Sequence, residues 1–372
     1  MNPARIHCIV GARPNFVKIA PIMRALAASP HLEPRLIHTG QHYDVQMSLS
    51  FFEDLEIPKP DRYLDVGSGT HAEQTARIME RYERVLREEH PRLLLVVGDV
   101  NSTVACSLVA AKCGVPIAHV EAGLRSRDRT MPEEINRLVT DVLSDYLFTT
   151  CSDADENLRR EGVPEEKIHF VGNVMIDTLL TSLPLAERKR TAARFGLEAG
   201  HYAVATIHRP SNVDERDGLE RVLRILEGTA AHLPIVFPAH PRTERRAQEW
   251  GLDGRLRGVG GLHLAEPMRY LEFVDLLRGA RLVLTDSGGV QEETAVLGVP
   301  CLTLRPNTER PVTISEGTNQ LVGTDPARVL EAVDQALARN VAPAGVHPPL
   351  WDGRAAERLA AILERKAGAG LL

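Results

Sequence analysis

The sequence predicts an α/β protein made of two Rossmann-like, doubly wound parallel-sheet domains facing a cleft. Three observations predict it. Short apolar runs rich in Val, Ile and Leu recur along almost the whole chain without polar alternation, as in parallel strands covered on both faces. Amphipathic stretches lie between them; around His71–His90, Ala72, Ala76, Met79, Tyr82 and Leu86 recur at steps of three and four. At 372 residues the chain also exceeds the ~100–200 usual for one domain.

The first series of strands reads "RIHCIV" from Arg5, "PRLIHT" from Pro34, "RLLLVV" from Arg92, "VPIAHV" from Val115, "YLFTT" from Tyr146 and "KIHFV" from Lys167. The second reads "YAVATI" from Tyr202, "LPIVFP" from Leu233, "LHLAE" from Leu262, "RLVLTD" from Arg281 and "VPCLTL" from Val299. Because the series restarts after the polar, charged stretch Pro184–Gly200, the boundaries expected are 1–183, 184–351 and 352–372. The last segment, with a helix over Asp352–Lys366, is expected to pack back on the first domain. No short-period repeat, low-complexity segment or heptad series interrupts the pattern.

Composition narrows the function classes. A net charge of −6 and 4% aromatics disfavour a nucleic-acid surface, for lack of both a polyanion-binding field and a base-stacking platform. No apolar run approaches the ~18 residues of a membrane span. The five cysteines, Cys8, Cys106, Cys113, Cys151 and Cys301, have no C-x-x-C spacing and read as buried, reduced thiols. "MNPARIHCIV" enters a strand at once, so cytoplasmic residence is expected. No H-E-x-x-H, Cys₂His₂ or D-x-D-x-D-G spacing calls for a metal. A P-loop is absent, and "GSGTHAEQ" at Gly67 fails the dinucleotide pattern, so kinase and dehydrogenase readings lose ground.

In open parallel sheets ligands bind outside the carboxyl ends of the strands, so the residues following each apolar run carry the functional argument. "DSGG" places Ser287 near a helix N-cap, and Gly288 and Gly289 let backbone N–H groups approach a phosphate at the positive end of the helix dipole. Glu292 and Glu293, one turn on, are placed to accept from ribose hydroxyls. In "GARPNFVK", Arg13 and Lys18 are cations in the first turn of a helix, where they oppose the dipole unless an anion lies between them. Arg310 in "NTERP" is a third such cation.

Acids form the second set. Asp99, Glu121 and Glu133 follow strand ends of one half, where partial desolvation suits proton exchange near neutrality. Each has a structural alternative: Asp99 as cap of the helix near Ser102, Glu121 paired with Arg125, and Glu133 as a first-turn acid after Pro132. His208 and His240 end two strands of the second half and are candidates for phosphate contact or proton transfer.

These residues, His208 in "HRPSNVD" apart, fall within "GARPNFVKIAPI", "TGQHYD", "GDVNST", "HVEAGLRS", "MPEEINR", "HPRT", "LTDSGGVQEE" and "NTERPVT". In order and approximate spacing the set resembles the non-hydrolysing UDP-N-acetylglucosamine 2-epimerases, from about Arg5 to the last helix. The resemblance implies a glycosyltransferase-B-like fold, a homodimer, and interconversion of UDP-N-acetylglucosamine and UDP-N-acetylmannosamine without an external cofactor. The route it implies is elimination of UDP to a 2-acetamidoglucal, then re-addition with a proton delivered to the opposite face of C2, supplying sugar for cell-surface polysaccharide. Asp99, Glu121, Glu133 and His208 match the family's catalytic positions. Arg13, Lys18, Gln41, His240, Ser287, Gly288, Gly289, Glu293 and Arg310 match its UDP-sugar contacts, Gln41 lying where some members bind a second UDP-N-acetylglucosamine as activator.

Two loops depart from the pattern: "GARPNF" where many members have "GTRPE", and "HRPSN" where bacterial members read "HRREN". A related UDP-acetamido sugar such as a diacetamido uronic acid, or glycosyl transfer on the same fold, are the alternative functions. A sensor without catalysis would not require the acids. A hydrolysing epimerase usually carries a fused sugar-kinase domain, for which these residues leave no room.

Overall fold

The computed structural model describes residues 3–41, 51–338 and 348–370. They form two compact units, one of residues 1–181 with 349–372 and the other of 182–348. The first carries a seven-stranded parallel sheet of β1 (Ala4–Val10), β2 (Leu32–His38), β3 (Arg62–Tyr63), β4 (Leu93–Val97), β5 (Ile117–Ala122), β6 (Tyr146–Thr149) and β7 (Ile168–Phe170), in spatial order 3-2-1-4-5-6-7. The second carries six parallel strands: β8 (Ala203–Thr206), β9 (Ile235–Pro238), β10 (Leu262–Ala265), β11 (Leu282–Thr285), β12 (Cys301–Thr303) and β13 (Asn319–Leu321), in order 10-9-8-11-12-13. Counted from each first strand, both sheets follow the dinucleotide-fold order 3-2-1-4-5-6. The predicted pair of doubly wound α/β domains is therefore the observed class.

Alternate burial explains the unalternating strands. In β8 and β11, Ala203, Ala205, Leu282 and Leu284 face one apolar cluster with Phe237, Val329 and Val333. Val204 and Val283, the residues between, face another with Tyr202, Leu276 and Val290. With helices on both faces each Val or Leu position gains about 1.5–3 kcal/mol from burying its full side chain. Polar alternation would forfeit that on one face.

Several local expectations need correction. β3 and β13 carry no sequence signal, being edge strands of two and three residues. The helix His71–Glu89 buries Gln74, Ile78, Tyr82, Val85 and Leu86, while Ala72 and Ala76 are exposed. Ala72, Ala76 and Met79 instead line an open apolar groove with Pro132 and Ile135. The helix Val174–Glu187 continues through Pro184, within the stretch read as polar linker. Cys113 is exposed at the C-cap of Asn101–Lys112, where the chain turns outward, whereas Cys8, Cys106, Cys151 and Cys301 are buried free thiols.

The final helix, Ala355–Gly368, belongs to the first unit. Asp177 accepts from Ala355 N (3.1 Å) and Ala356 N (2.7 Å), satisfying two donors at its start. Leu359 and Leu363 are buried, and Glu364 accepts from Ser29 Oγ at 2.8 Å. Burial raises the Asp177 carboxyl to about 6 despite these bonds.

Candidate functional site

Strand order reverses between β1 and β4 in the first unit and between β8 and β11 in the second, and each reversal opens a crevice at the carboxyl ends. In the first unit the crevice is floored by Gly98, at φ 66°. A Cβ there would lie 3.0 Å from Lys18 Nζ and 3.2 Å from Glu121 Oε2. Lys18 and Glu121 form a buried ion pair. The helix Arg13–Ala27 starts at the Arg-Pro step itself, so Lys18 sits in its second turn, not the first. The Arg13 side chain, like His42, Tyr43 and Asp44 of "TGQHYD", lies outside the described residues.

Glu121 does not pair with Arg125. It occupies an irregularity in the register of β5 against β6, between Val120 and Ala122, with φ 72°. A non-glycine residue held there stores strain of about 1–2 kcal/mol, a cost the surrounding bonds must offset. They do so through a buried network. His119, two residues before, places Nδ1 2.6 Å from Asp141 Oδ1 and Nε2 2.9 Å from Gly98 O. Asp141 also accepts from Gly123 N (3.1 Å) and pairs with Arg125 (2.7 Å), which also binds Glu161 and the Leu124 carbonyl. Burial alone would raise the Asp141 carboxyl, but His119 and Arg125 hold it below the usual range.

Asp99 does not cap the following helix, whose N-cap is Val100. Arg137 grips Asp99 Oδ2 from Nε (3.0 Å) and Nη2 (2.7 Å) instead. Arg137 in turn binds Glu134, which also accepts from Ser126 N and Arg127 N at 2.9 Å each. The paired acids of "MPEEINR" thus divide. Glu134 is buried as the anchor of the 126–127 loop, and Glu133 stands only half-buried in the first turn. Asn15, at the departure in the first loop, accepts from Gly11 N and Ala12 N (3.1 Å each) and donates to Val97 O at 3.0 Å. A glutamate could accept both bonds but could not make that last donation. Gln41 is buried, bonding Ser102 Oγ at 2.7 Å and accepting on its carbonyl from Gln74.

In the second unit the loop after β8 meets the end of β11. Asp286 is fully buried and accepts from His208 N, Arg209 N (2.8 Å) and Asn212 Nδ2 (2.9 Å). Asn212 keeps its place although "HRPSN" departs from the family pattern two residues before it, where Pro210 opens a short helix. His208 stacks on His240, ring centres 5.8 Å apart. His240 also caps its helix, its Nδ1 accepting from Arg242 N at 3.1 Å.

Ser287 is the N-cap of Gly288–Leu297, yet its hydroxyl makes no capping bond. Gly288 is required for close approach, since a Cβ would fall 2.5 Å from Arg310 Nη1. Gly289 follows in the same first turn. Arg310 pairs with Glu292 (2.8 Å) and Glu309 (2.6 Å), so Glu292 is turned to a guanidinium. Glu309 also binds Arg305, and Arg209 lies 3.5 Å from it. Glu293 is buried against Tyr270 Oη (3.2 Å), and burial pushes its carboxyl up to about 8. Sequence reasoning missed Asp286, Asp141, His119, Arg137 and Glu309 as site residues. Placement at apolar strand ends could have flagged Asp286 and His119, but not Asp141, which lies in the helix Pro132–Leu143.

The family model for UDP-N-acetylglucosamine 2-epimerase matches residues 24–364. The chain belongs to the UDP-N-acetylglucosamine 2-epimerase family. Within it, the chain is 42% identical over 367 residues to the UDP-N-acetylglucosamine 2-epimerase of Methanocaldococcus jannaschii, covering 96% of this chain and 98% of that one. It is 39% identical to the UDP-2,3-diacetamido-2,3-dideoxy-D-glucuronate 2-epimerase of Pseudomonas aeruginosa, over 97% and 99% of the two chains. The M. jannaschii enzyme solved in complex with UDP-GlcNAc and UDP superposes with a TM-score of 0.89, covering 97% of this chain and 99% of that one. Family membership makes this protein an epimerase. No group of three or more metal-ligating side chains, and no helix long and apolar enough to cross a membrane, occurs among the described residues.

Proposed function

We propose that the protein interconverts UDP-N-acetylglucosamine and UDP-N-acetylmannosamine without hydrolysis. The observation that carries the reading is Glu121, held at φ 72° at a strand end and closed onto Lys18. Strain at a buried acid beside a ligand crevice is the signature of a group positioned for chemistry. Family membership then supplies the reaction class.

The C2 hydrogen of the sugar has no neighbouring carbonyl, so its removal must be coupled to loss of the anomeric substituent. A carboxylate of the first unit, from Asp99, Glu121 and Glu133, takes the C2 proton. The C–H electron pair forms the C1–C2 double bond, and the C1–O pair leaves with UDP. Re-addition returns UDP oxygen to C1 while a proton reaches the opposite face of C2. His208 and the remaining carboxylates supply that acid–base pairing. In the second unit the N–H groups after Ser287, with Gly288, Gly289, Arg310 and His240, hold the diphosphate, and Glu293 takes the ribose hydroxyls. Arg13 and Lys18 add positive charge from the first unit.

A diacetamido uronic acid is the second reading, favoured by the P. aeruginosa relative at 39% identity. The protein acts in the cytoplasm and supplies cell-surface polysaccharide synthesis. It works as a homodimer through the groove of Ala72, Met79 and Ile135, whose helix also exposes Val142. A second UDP-N-acetylglucosamine beside Gln41 would act as an activator and make initial rates sigmoidal.

Proton NMR in D₂O tests the reaction. UDP-N-acetylmannosamine carrying deuterium at C2, with no free sugar, is the expected product. Free N-acetylmannosamine would overturn the non-hydrolysing assignment, and turnover of the diacetamido uronate alone would move the substrate to the second reading.

A further inference from the structure

We infer that Asp286 is the positioning residue for His208, setting both where the imidazole sits and which ring nitrogen carries its proton. The inference deepens the proposed function, since it assigns a role to a side chain that acts through a catalytic candidate.

The carboxylate terminates β11 with no exposed surface. His208 N approaches both its oxygens, at 3.1 Å and 3.0 Å, so the backbone from which the ring projects is fixed directly. Arg209 N and Asn212 Nδ2 complete the donor set, and Arg209 Nε binds the main-chain oxygen of Asp286 at 3.0 Å. The whole loop after β8 is therefore wrapped on one side chain of β11. Above it, His208 Nδ1 faces Asp286 Oδ1 at 3.4 Å while the side chain stays 41% exposed. A carboxylate beside Nδ1 favours the proton there and leaves Nε2 as the outward acceptor. The neighbouring ring cannot substitute, because His240 Nδ1 is already the acceptor for Arg242 N.

A merely structural acid would make the same backbone bonds, so the test must read the ring. Two-bond ¹H–¹⁵N spectra of the ¹⁵N-histidine protein, with H208Q used for assignment, report which nitrogen is protonated. Wild type is expected to carry the proton on Nδ1, and D286N to move it to Nε2 or to a mixture. An unchanged tautomer in D286N overturns the inference, whether or not the protein turns over any UDP-sugar.

The kinetic arm is a double-mutant cycle. D286N is expected to lower kcat at least tenfold in the wild-type background and less than twofold beside H208Q. Equal losses in both backgrounds would reduce Asp286 to a structural strut. If D286N fails to fold, D286E keeps the charge but moves the carboxylate by one methylene from its place beside Nδ1, and is expected to give the same tautomer shift at smaller amplitude. Absence of epimerisation by the wild type would overturn the proposed reaction and leave the tautomer measurement standing as the test of this inference.

Discussion

The two units share one strand order but use acids in opposite ways at their carboxyl ends. In the first, Asp99 remains a quarter exposed (24%) and is gripped by Arg137, Glu121 is buried on Lys18, and Glu133 is half-buried. In the second, Asp286, Glu292 and Glu309 are all at most 2% exposed and hold the cations and N–H groups in place. The acids proposed to react thus all lie in the first unit, buried at Glu121 and partly open at Asp99 and Glu133, while the buried acids of the second act as struts. Partners more than burial separate the two uses, and partners are not visible in residue type.

The comparison breaks first at Glu121. E121Q is expected to lower kcat by about 10²–10⁴, the usual span for an acid–base group. It also strands the buried Lys18 ammonium, which costs about 3–5 kcal/mol of stability. K18M/E121Q should recover most of the melting temperature without recovering turnover. If turnover returns with stability, Glu121 is a strut after all. Asp141→Asn is next: by leaving His119, Gly123 N and Arg125 short of an acceptor it should cost about 3–5 kcal/mol in chemical denaturation. Because the Asp141 carboxyl is depressed in the folded state, its contribution is present above its ordinary pKa and lost on acidification. The variant's melting temperature should therefore fall less steeply than wild type below about pH 4.

Both sheets and the loops carrying Asp99, Glu121, His208 and Ser287 were legible in the sequence, because unalternating apolar runs set strand ends and strand ends set crevices. The partners were not. Glu121 meets Lys18 across 103 residues and Asp286 meets His208 across 78, separations that only the topology brings together. Nor could residue type divide Glu133 from Glu134, since that depends on which one the loop N–H groups of Ser126 and Arg127 reach. The misread face of His71–Glu89 has a similar origin: periodicity finds an apolar stripe but not what covers it.

Glu293 sharpens the contrast through pH. Its folded carboxyl near 8 stands above the ordinary 4.5, so the folded state holds a proton that the unfolded chain releases between those values. Stability from this group is present at low pH and lost as pH rises through that window, by at most about 1.4 kcal/mol per unit. E293Q carries no such proton. Its melting temperature without ligand should gain on wild type between about pH 5 and 8. A constant difference would mean that Glu293 is ionised throughout.

The smallest effects come from one substitution made in both crevices. Gly98 has φ 66°, and a Cβ there would meet Lys18 and Glu121, so alanine adds about 1–2 kcal/mol of backbone strain and presses on that ion pair. G98A should lower kcat more than it raises KM. Gly288 has no positive φ, and its alanine meets side-chain tips, 2.5 Å from Arg310 Nη1, 2.9 Å from Arg310 Cζ and 3.0 Å from Glu309 Oε1. The Arg310 tip is held by Glu292 and Glu309 and cannot swing away freely, so the guanidinium shifts within its bonds. G288A should weaken UDP binding about tenfold, roughly 1.4 kcal/mol, with kcat little changed. If instead both glycines move kcat and spare UDP affinity, the helix after Ser287 is not where the diphosphate binds, and the division of labour between the two units fails at its second half.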